Sequence, residues 1–162
     1  MSYIKTLLST TLLFLLLATS NVAARSLDSD EVFSFGGFIN DLVSTAQILK
    51  HGSFCVFGSD EISKVLFNLD KNIIDLDRDL TKYETCKAIY IAQGTEKIAR
   101  NELVKFNKSK ILTIAVFDDF TEIGGVVRVE MGRRNFELTV NSKAMKEAGI
   151  KLNSLATSLI VN

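Results

Sequence analysis

Apolar residues recur at helical spacing early in the chain, just after an apolar N-terminal stretch. From residue 32 to residue 49 they fall three and four positions apart, which predicts an amphipathic helix. Polar residues at 28–30 can cap its first turn. Gly36 and Gly37 interrupt the pattern, so either the helix begins late or another element packs closely against this face.

Short apolar runs follow, and they predict strands that alternate with two further helices. The predicted strands cover residues 54–57, 73–76, 86–92 and 111–117, and the predicted helices cover 60–69 and 95–106. Ser59 is the expected N-cap of the first of these helices, and Ile98 is expected to point inward from the second. The order strand, helix, strand, strand, helix, strand indicates an α/β sheet with a substantial parallel component.

Apolar and polar residues alternate in the last third of the chain. Residues 127–131 and 136–140 follow this pattern, which predicts a half-exposed antiparallel hairpin. Asn141 can cap a helix that Gly149 closes, and a final short helix is predicted over 152–160. The whole pattern predicts a single three-layer α/β domain with a mixed sheet of about six strands flanked by helices, a C-terminal antiparallel hairpin and two short helices.

The N-terminal apolar stretch is organised like a cleavable export signal. Lys5 precedes an apolar run over 7–18, and short side chains at 22–24 suit signal peptidase, so we expect cleavage after Ala24. The run is about a dozen residues long, whereas a bilayer-spanning helix needs about 20. We therefore expect a signal peptide at 1–24, one exported domain at 25–162 in the periplasm, and no integral membrane segment after cleavage. A retained membrane anchor is the alternative.

The balance of charges argues against one class of partner. The chain has 19 Lys and Arg and 19 Asp and Glu, and the signal contains one of the cationic residues, which leaves the mature domain near a net charge of −1. A nucleic-acid-binding domain would show a basic surplus or stripe. No nucleic-acid partner is expected.

Cys55 and Cys86 are the only cysteines, and both lie beyond the signal. Their separation of 31 positions fits neither a CxxC redox motif nor a zinc pattern. Each lies at the start of a short apolar run, so a structural disulfide between two strands is favoured over free or regulatory thiols. In the chain-entropy model, closing such a loop stabilises a domain by about 3.5 kcal/mol.

Few residues could carry catalysis or bind a ligand. His51 is the only histidine and lies between a predicted helix and a predicted strand. Asp118 and Asp119 end the last long apolar run; open α/β sheets bind ligands at the carboxyl ends of strands, but adjacent aspartates in such a turn also act as caps. Gly124 and Gly125 lack the spacing of a phosphate-binding loop. No catalytic residue, metal site or cofactor is expected.

Several short motifs together resemble the YfiR family of small periplasmic proteins. The motifs are Phe54-Cys-Val-Phe-Gly58, Cys86-Lys-Ala-Ile-Tyr-Ile91, Ile111-Leu-Thr-Ile114 with Asp118, Phe120 leading to Ile123-Gly-Gly-Val-Val127, and Asn141 followed by Ala148-Gly149-Ile-Lys-Leu152. The resemblance runs over most of the mature chain, from residue 35 to residue 159, and its specificity lies in the order and spacing of the motifs.

The resemblance implies a regulatory function without catalysis. Members of the family are periplasmic repressors that bind the periplasmic sensor domain of a membrane-bound, GGDEF-type diguanylate cyclase, keep the cyclase inactive and so lower cyclic di-GMP, a signal in biofilm regulation. The resemblance also implies that Cys55 and Cys86 form the family's disulfide. It leaves open whether the chain forms a homodimer.

A partner-binding surface in the hairpin region is a further implication of the resemblance. The surface falls on Val127 and, by residue type, on Phe136 and Glu137. Phe120 lies beside the glycine turn. Interfaces gather apolar and aromatic residues at their core, so we include the side chain of Phe120 in this surface.

Three features depart from the family pattern. Counting back from Asn141 would place the family's Phe-Glu pair on Leu138 and Thr139 instead. The Trp-Pro that usually follows the first helix is absent. Thr121 and Arg128 stand near the positions where some relatives carry a second cysteine pair, so any redox switch would act through one disulfide.

Two other classes of function remain as alternatives. A periplasmic small-ligand-binding module would use a pocket near Asp118, Asp119 and Gly58. A secreted enzyme would need a nucleophile or a metal constellation, and the sequence offers no such pattern.

Overall fold

The computed structural model describes residues 27–48, 50–132, 135–152 and 159–161. The expected signal peptide and the two arginines of the predicted hairpin turn, Arg133 and Arg134, lie outside these ranges. Within them, no helix combines the length and the hydropathy that a membrane crossing requires.

The described elements form one mixed sheet, a small two-stranded sheet and the helices that cover them. In chain order they are α1 (Ser29–Thr45), β1 (Gln47–Ile48), β2 (Ser53–Phe57), α2 (Glu61–Leu69), β3 (Ile74–Asp75), a 3-10 helix (Leu80–Thr85), β4 (Cys86–Ile91), α3 (Glu96–Lys108), β5 (Leu112–Ala115), β6 (Val127–Met131), β7 (Phe136–Val140), α4 (Ser142–Ala148), β8 (Ile150–Lys151) and β9 (Leu159–Val161). The predicted α/β class, with a mixed sheet and a C-terminal hairpin, is confirmed.

Seven strands make up the main sheet, in the order β3-β2-β4-β5-β6-β7-β9. The first five of these run parallel, β7 is antiparallel to β6, and β9 is parallel to β7. Parallel strands are buried on both faces and therefore read as continuous apolar runs, whereas the β6–β7 hairpin keeps one polar face and alternates. The change of pattern in the sequence marks the change from parallel to antiparallel pairing.

The sheet separates two hydrophobic clusters, which gives the domain its three layers. One face packs against α1 and α2, through residues such as Phe35, Ile39 and Leu66. The other face packs against α3, through Leu103 and Phe106. Successive residues of one strand alternate between the two clusters, as the strand geometry requires.

Helix α1 begins where its caps predict and ends earlier than its apolar pattern predicts. Asp28 and Glu31 form a capping box at its N-terminus. The helix ends at Thr45, because the next residues turn into β1, which pairs with β8 in a second sheet. The prediction that the helix reaches residue 49 is therefore wrong, and tertiary pairing is the reason.

Three smaller predictions also differ from the structure. Asp60, and not Ser59, is the N-cap of α2, because its carboxylate accepts from the backbone N of Ser63 at 2.7 Å. Ile98 is 56% exposed and does not face the core. The predicted final helix over 152–160 is wrong at Leu159 and Ile160, which belong to β9, and its residues 153–158 lie outside the described ranges.

The disulfide joins neighbouring parallel strands on the α3 side of the sheet. Cys55 of β2 and Cys86 of β4 are bonded, with their Cα atoms 5.9 Å apart, and both are fully buried. Tyr83 and Phe106 pack in the same cluster. The predicted structural disulfide is confirmed.

Candidate functional site

The β6–β7 hairpin has one apolar and one polar face. Its apolar side chains join the core beneath α1, and they include Val127, Val129, Leu138 and Val140. The polar face carries Arg128, Glu130, Glu137 and Thr139, and strand register places Arg128 opposite Thr139 and Glu130 opposite Glu137. The hydrophobic cluster beneath α3 contains no residue of β6 or β7, so this polar face lies beyond the apolar layer of that helix.

Arg128 is the centre of a hydrogen-bond network on the polar face. Its guanidinium donates to Asp118 Oδ1 at 3.0 Å and to both carboxylate oxygens of Glu130 at 3.0 Å. The hydroxyl of Thr139 also donates to Glu130, at 3.1 Å. The network joins the loop after β5 to both strands of the hairpin. It also gives Glu130 a cationic partner, which offsets the repulsion expected from Glu137 opposite, since facing like charges destabilise a strand pair.

Two asparagines fix the loop that connects β5 to β6, residues 116–126. The side-chain amide of Asn107, at the end of α3, donates to the carbonyl of Gly124 at 2.8 Å. The side-chain amide of Asn141, which caps α4, donates to the carbonyl of Thr121 at 2.8 Å. The loop therefore has fixed hydrogen-bond partners on both of the helices that flank it.

Phe120 anchors the same loop from within. Its ring is fully buried and makes an edge contact with Phe117, with the ring centroids 5.1 Å apart. The backbone of Gly125 passes so close to this ring that a Cβ there would meet it at 2.3 Å. Gly125 is therefore required by close packing, whereas Gly124 meets no atom within 4 Å and is favoured because its φ is +108°.

A crevice of about 280 Å³ opens between the start of α1 and the ends of β5 and β6. Its lining consists of Leu27, Glu31, Phe35, Gln93, Val116, Phe117, Asp118, Val129, Glu130 and Met131. Because β4, β5 and β6 run parallel, their carboxyl ends meet at this edge of the sheet, which is where open α/β sheets bind ligands.

The four residues predicted to bind the partner lie in different environments. Phe120 and Val127 are fully buried. Phe136 is half-buried, and its ring stacks on that of Phe38, with the centroids 4.4 Å apart. Glu137 is half-buried on the polar face, beside the backbone of Gly132. Contact with a partner stays a prediction for all four, and only Phe136 and Glu137 keep accessible surface to make it.

Of the residues proposed for a small-ligand site, the crevice has only Asp118 in its lining. Asp118 lines the crevice, while Asp119 lies outside its lining and pairs with Arg100 at 3.4 Å. The backbone N of Gly58 donates instead to Asp77, at 2.8 Å. Across the described ranges, no cluster of three His, Cys, Asp or Glu side chains could hold a metal ion.

Tyr90, which is fully buried, forms a polar pair with Asp60. The Tyr90 hydroxyl donates to Asp60 Oδ2 at 2.8 Å, and the same oxygen accepts from the backbone N of Gln93 at 2.8 Å. Burial, reinforced by the charge of Asp60, raises the pKa of Tyr90 well above its usual value. The tyrosine therefore stays protonated and joins β4 to the start of α2, which is a structural role.

Sequence reasoning missed Arg128, Glu130, Asn107 and the capping role of Asp60 in holding the site together. Arg128 and Glu130 could have been found from the alternation of residues 127–131 and 136–140, because it puts them on one face of the hairpin. The contact of Asn107 with Gly124 spans 17 positions and depends on where α3 lies, which no local pattern shows.

These features define a class of protein: a three-layer α/β domain with a polar hairpin face and, among the residues that the structure describes, no cluster of side chains that could hold a metal ion. The sequence matches the family described as YfiR/HmsC-like over residues 32–157, and the chain belongs to that family. The family consists of periplasmic, non-catalytic regulators of cyclic di-GMP signalling.

Comparison with other proteins adds support for the fold alone. No curated protein matches the sequence. Among solved structures, a conserved domain protein from Vibrio cholerae O1 biovar El Tor superposes with a TM-score of 0.57 at 13% sequence identity. The match covers 79% of this chain and 60% of that one, so the chain spans about three-fifths of that protein's length.

Proposed function

We propose that this protein is a periplasmic repressor that binds the sensor domain of an inner-membrane diguanylate cyclase and inhibits the cyclase, which lowers cyclic di-GMP. The observation that carries the proposal is the polar face of the β6–β7 hairpin, in a chain of the YfiR/HmsC-like family. Residues 1–24 would be removed on export, and residues 25–162 would act in the periplasm, whose oxidising chemistry suits the disulfide.

Rigidity of the face supports a role in binding. The loop at 116–126 is held by Asn107, Asn141 and the buried ring of Phe120, and Arg128 joins it to the hairpin. A surface that is already ordered loses less conformational entropy when a partner docks, which favours affinity. No catalytic step is required of it.

The burial of Phe120 and Val127 changes how the proposed surface is composed. These two side chains would support the surface from below, and the contacts would come from Glu137 and the polar residues around Arg128. Phe136 lies on the opposite face of the hairpin, against Phe38 of α1, and would contact a partner only at that edge. Variants that introduce a charge at Val127 would disturb the core. Glu137 is therefore the better position at which to test binding.

The cellular test measures cyclic di-GMP in a host that carries a membrane-bound GGDEF-type cyclase with a periplasmic sensor domain, taken from the same organism as this protein. Expression of the wild-type protein with its signal should lower cyclic di-GMP several-fold. A version without residues 1–24 should have no effect, because it would not reach the periplasm. Equal cyclic di-GMP with and without the exported protein would contradict the proposed function.

A periplasmic small-ligand-binding module is the second candidate, and the crevice at the edge of the sheet is the observation in its favour. Thermal-shift measurements of the purified mature protein against small periplasmic solutes separate the two. A solute that raises the melting temperature in a dose-dependent way, in a protein that fails to lower cyclic di-GMP, would favour this second function.

A further inference from the structure

The parallel strands begin at one end of the sheet, and two helices meet there. Helix α3 ends at Lys108, shortly before β5 starts at Leu112. Strand β7 is antiparallel to β6 and ends beside the first residue of β6, so α4, which follows β7, starts at the same end. Asn107 and Asn141 both donate to the loop at 116–126, which places the end of α3 and the start of α4 on either side of it.

This end of the sheet carries five exposed lysines, which we call the basic edge. They belong to the two helices or directly follow them, and they are Lys108, Lys110, Lys143, Lys146 and Lys151. Two exposed carboxylates accompany them, Glu122 between the two asparagine contacts and Glu147 on α4, so five positive and two negative charges leave a net charge of +3. The pair of Lys105 with Glu102 on the preceding turn of α3 adds no net charge. None of the five lysines forms an ion pair with another described residue.

Carboxylates lie at the opposite end of the same sheet. Asp60 follows β2, Asp77 follows β3, and Asp118 and Asp119 follow β5. The charges of the mature domain nearly cancel in total, and yet they are separated along the direction of the parallel strands. A domain with such a separation is attracted to an anionic surface through one end only.

Two lysines of the basic edge occupy positions that local structure does not favour. Lys110 closes α3 in a Schellman motif, in which its backbone N donates to the carbonyl of Asn107 and the backbone N of Ile111 donates to that of Phe106. Its φ is 60°, in the left-handed region that glycine usually occupies at this position. Lys143 lies in the first turn of α4, where the helix dipole favours acidic residues and none is present. Local stability therefore explains neither lysine, which points to a function for their charge.

We propose that the basic edge binds the surface of an anionic phospholipid bilayer, where its lysines approach the phosphate groups of phosphatidylglycerol. Clusters of several basic residues beside a membrane bind anionic lipids in this way. The edge contains no arginine, and lysine is a compact point charge that suits a diffuse array of phosphates better than a bidentate contact. Lysine is also depleted in the interfaces between proteins, which argues against a protein as the occupant.

Val104 adds an exposed apolar side chain to the end of α3. It lies four positions before Lys108, so the two side chains share one face of the helix, and it is 58% exposed. An apolar side chain beside cations can enter the headgroup region of a bilayer. Membrane binding of this kind goes beyond the proposed function and does not depend on it. It would hold the carboxyl ends of the parallel strands away from the bilayer.

Flotation with lipid vesicles tests the proposal on the purified mature protein, without any protein partner. We expect the protein to float with vesicles that contain one-quarter phosphatidylglycerol, at lipid concentrations on the order of millimolar, and not with vesicles of phosphatidylcholine alone. Added salt should release the protein, because it screens the attraction. Glycerol phosphate, the soluble headgroup, should not compete at the same phosphate concentration, because it cannot engage all the lysines of the edge together.

The double variant Lys110→Gly and Lys143→Gln separates a binding role from a structural one. Each lysine near an anionic surface changes binding about five-fold, so the loss of two should weaken vesicle binding at least ten-fold. The same variant should melt at or above the wild-type temperature, because glycine suits the φ of residue 110 and the first turn of α4 loses an unfavourable charge. Lys64→Gln with Lys97→Gln removes the same charge from the first turns of α2 and α3, at the opposite end of the sheet, and should leave vesicle binding unchanged.

Three results would overturn the proposal. They are equal flotation with the two kinds of vesicle, equal weakening by the two double variants, and release of the protein by glycerol phosphate, which would assign the lysines to a soluble phosphate. A further arm measures binding to the purified periplasmic domain of the cyclase. Weaker binding of that domain by the Lys110→Gly and Lys143→Gln variant, without vesicle binding by the wild type, would also overturn the proposal and assign the basic edge to the protein partner.

Discussion

Arg128 shows how one residue can hold a candidate surface in place. Its guanidinium donates to Asp118 in the loop and to Glu130 in β6, and Glu130 in turn accepts from Thr139 in β7. The side chain is only 21% exposed, whereas that of Glu130 is 36% exposed and that of Asp118 is fully exposed. Because the guanidinium is largely shielded from solvent, its pair with Glu130 should be stronger than an ordinary surface pair.

Replacing Arg128 by methionine tests how much its ion pairs stabilise the domain. The change keeps an apolar stem but leaves Glu130 facing Glu137 without a cation, so we expect a loss of about 1.5 to 3 kcal/mol in the free energy of unfolding. Arg100→Met is the matched control, because its pair with Asp119 is largely exposed. Exposed pairs contribute only about 0 to 1 kcal/mol. Urea denaturation measures the free energy of unfolding of both variants. Equal losses in Arg128→Met and Arg100→Met would contradict the role given to Arg128.

At the scale of elements, α1 supports the hairpin from its apolar side. Phe35 and Phe38 contact Phe136 of β7, with ring centroids 5.0 Å and 4.4 Å away. The helix is held in turn against α2, where the backbone at Gly36 meets Val65. The position of the hairpin face thus depends on a helix–helix contact on the other side of the sheet.

The two glycines of α1 should respond in opposite directions to alanine. A Cβ at Gly36 would lie 2.5 Å from Val65 Cγ1, so Gly36→Ala should destabilise the domain by about 1 to 3 kcal/mol. A Cβ at Gly37 would meet no atom within 4 Å, so Gly37→Ala should stabilise it by up to about 1 kcal/mol through helix propensity. Thermal or urea unfolding measures the stability of the two variants against that of the wild type. Destabilisation by both would show that close packing is not specific to Gly36.

At the scale of the whole molecule, the disulfide links the adjacent parallel strands β2 and β4 beneath α3. It closes a loop of 31 positions, for which the chain-entropy model gives about 3.5 kcal/mol. For a domain of this size, that corresponds to a fall of roughly 10 °C in the melting temperature.

Replacing both cysteines by alanine should produce that fall without changing the fold. Differential scanning calorimetry of the mature protein measures the melting temperature, and far-ultraviolet circular dichroism checks the secondary structure. The single variant Cys55→Ala should fall by a similar amount, because it also removes the bond. A double variant that melts at the wild-type temperature would contradict a stabilising role.

Much of the fold could be predicted because its signals are local. The apolar runs at 54–57, 86–92 and 111–117 predicted buried strands, and the alternation after residue 126 predicted the hairpin. The exceptions, the early end of α1 and the strand at 159–161, arise from pairing with distant segments. The candidate site was harder to predict from the sequence, because the burial of Phe120 and Val127 depends on how a loop and a helix meet in three dimensions.

The most direct test of the hairpin face as a docking surface is the affinity of the mature protein for the periplasmic domain of a membrane-bound GGDEF-type cyclase from the same organism, measured by isothermal titration calorimetry. Glu137→Arg changes the polar face of the hairpin, and Glu147→Arg makes the same change at an exposed position on α4. We expect wild-type binding that Glu137→Arg weakens at least ten-fold and Glu147→Arg leaves unchanged. Absence of wild-type binding, or equal affinity of the two variants, would contradict the hairpin face as the docking surface.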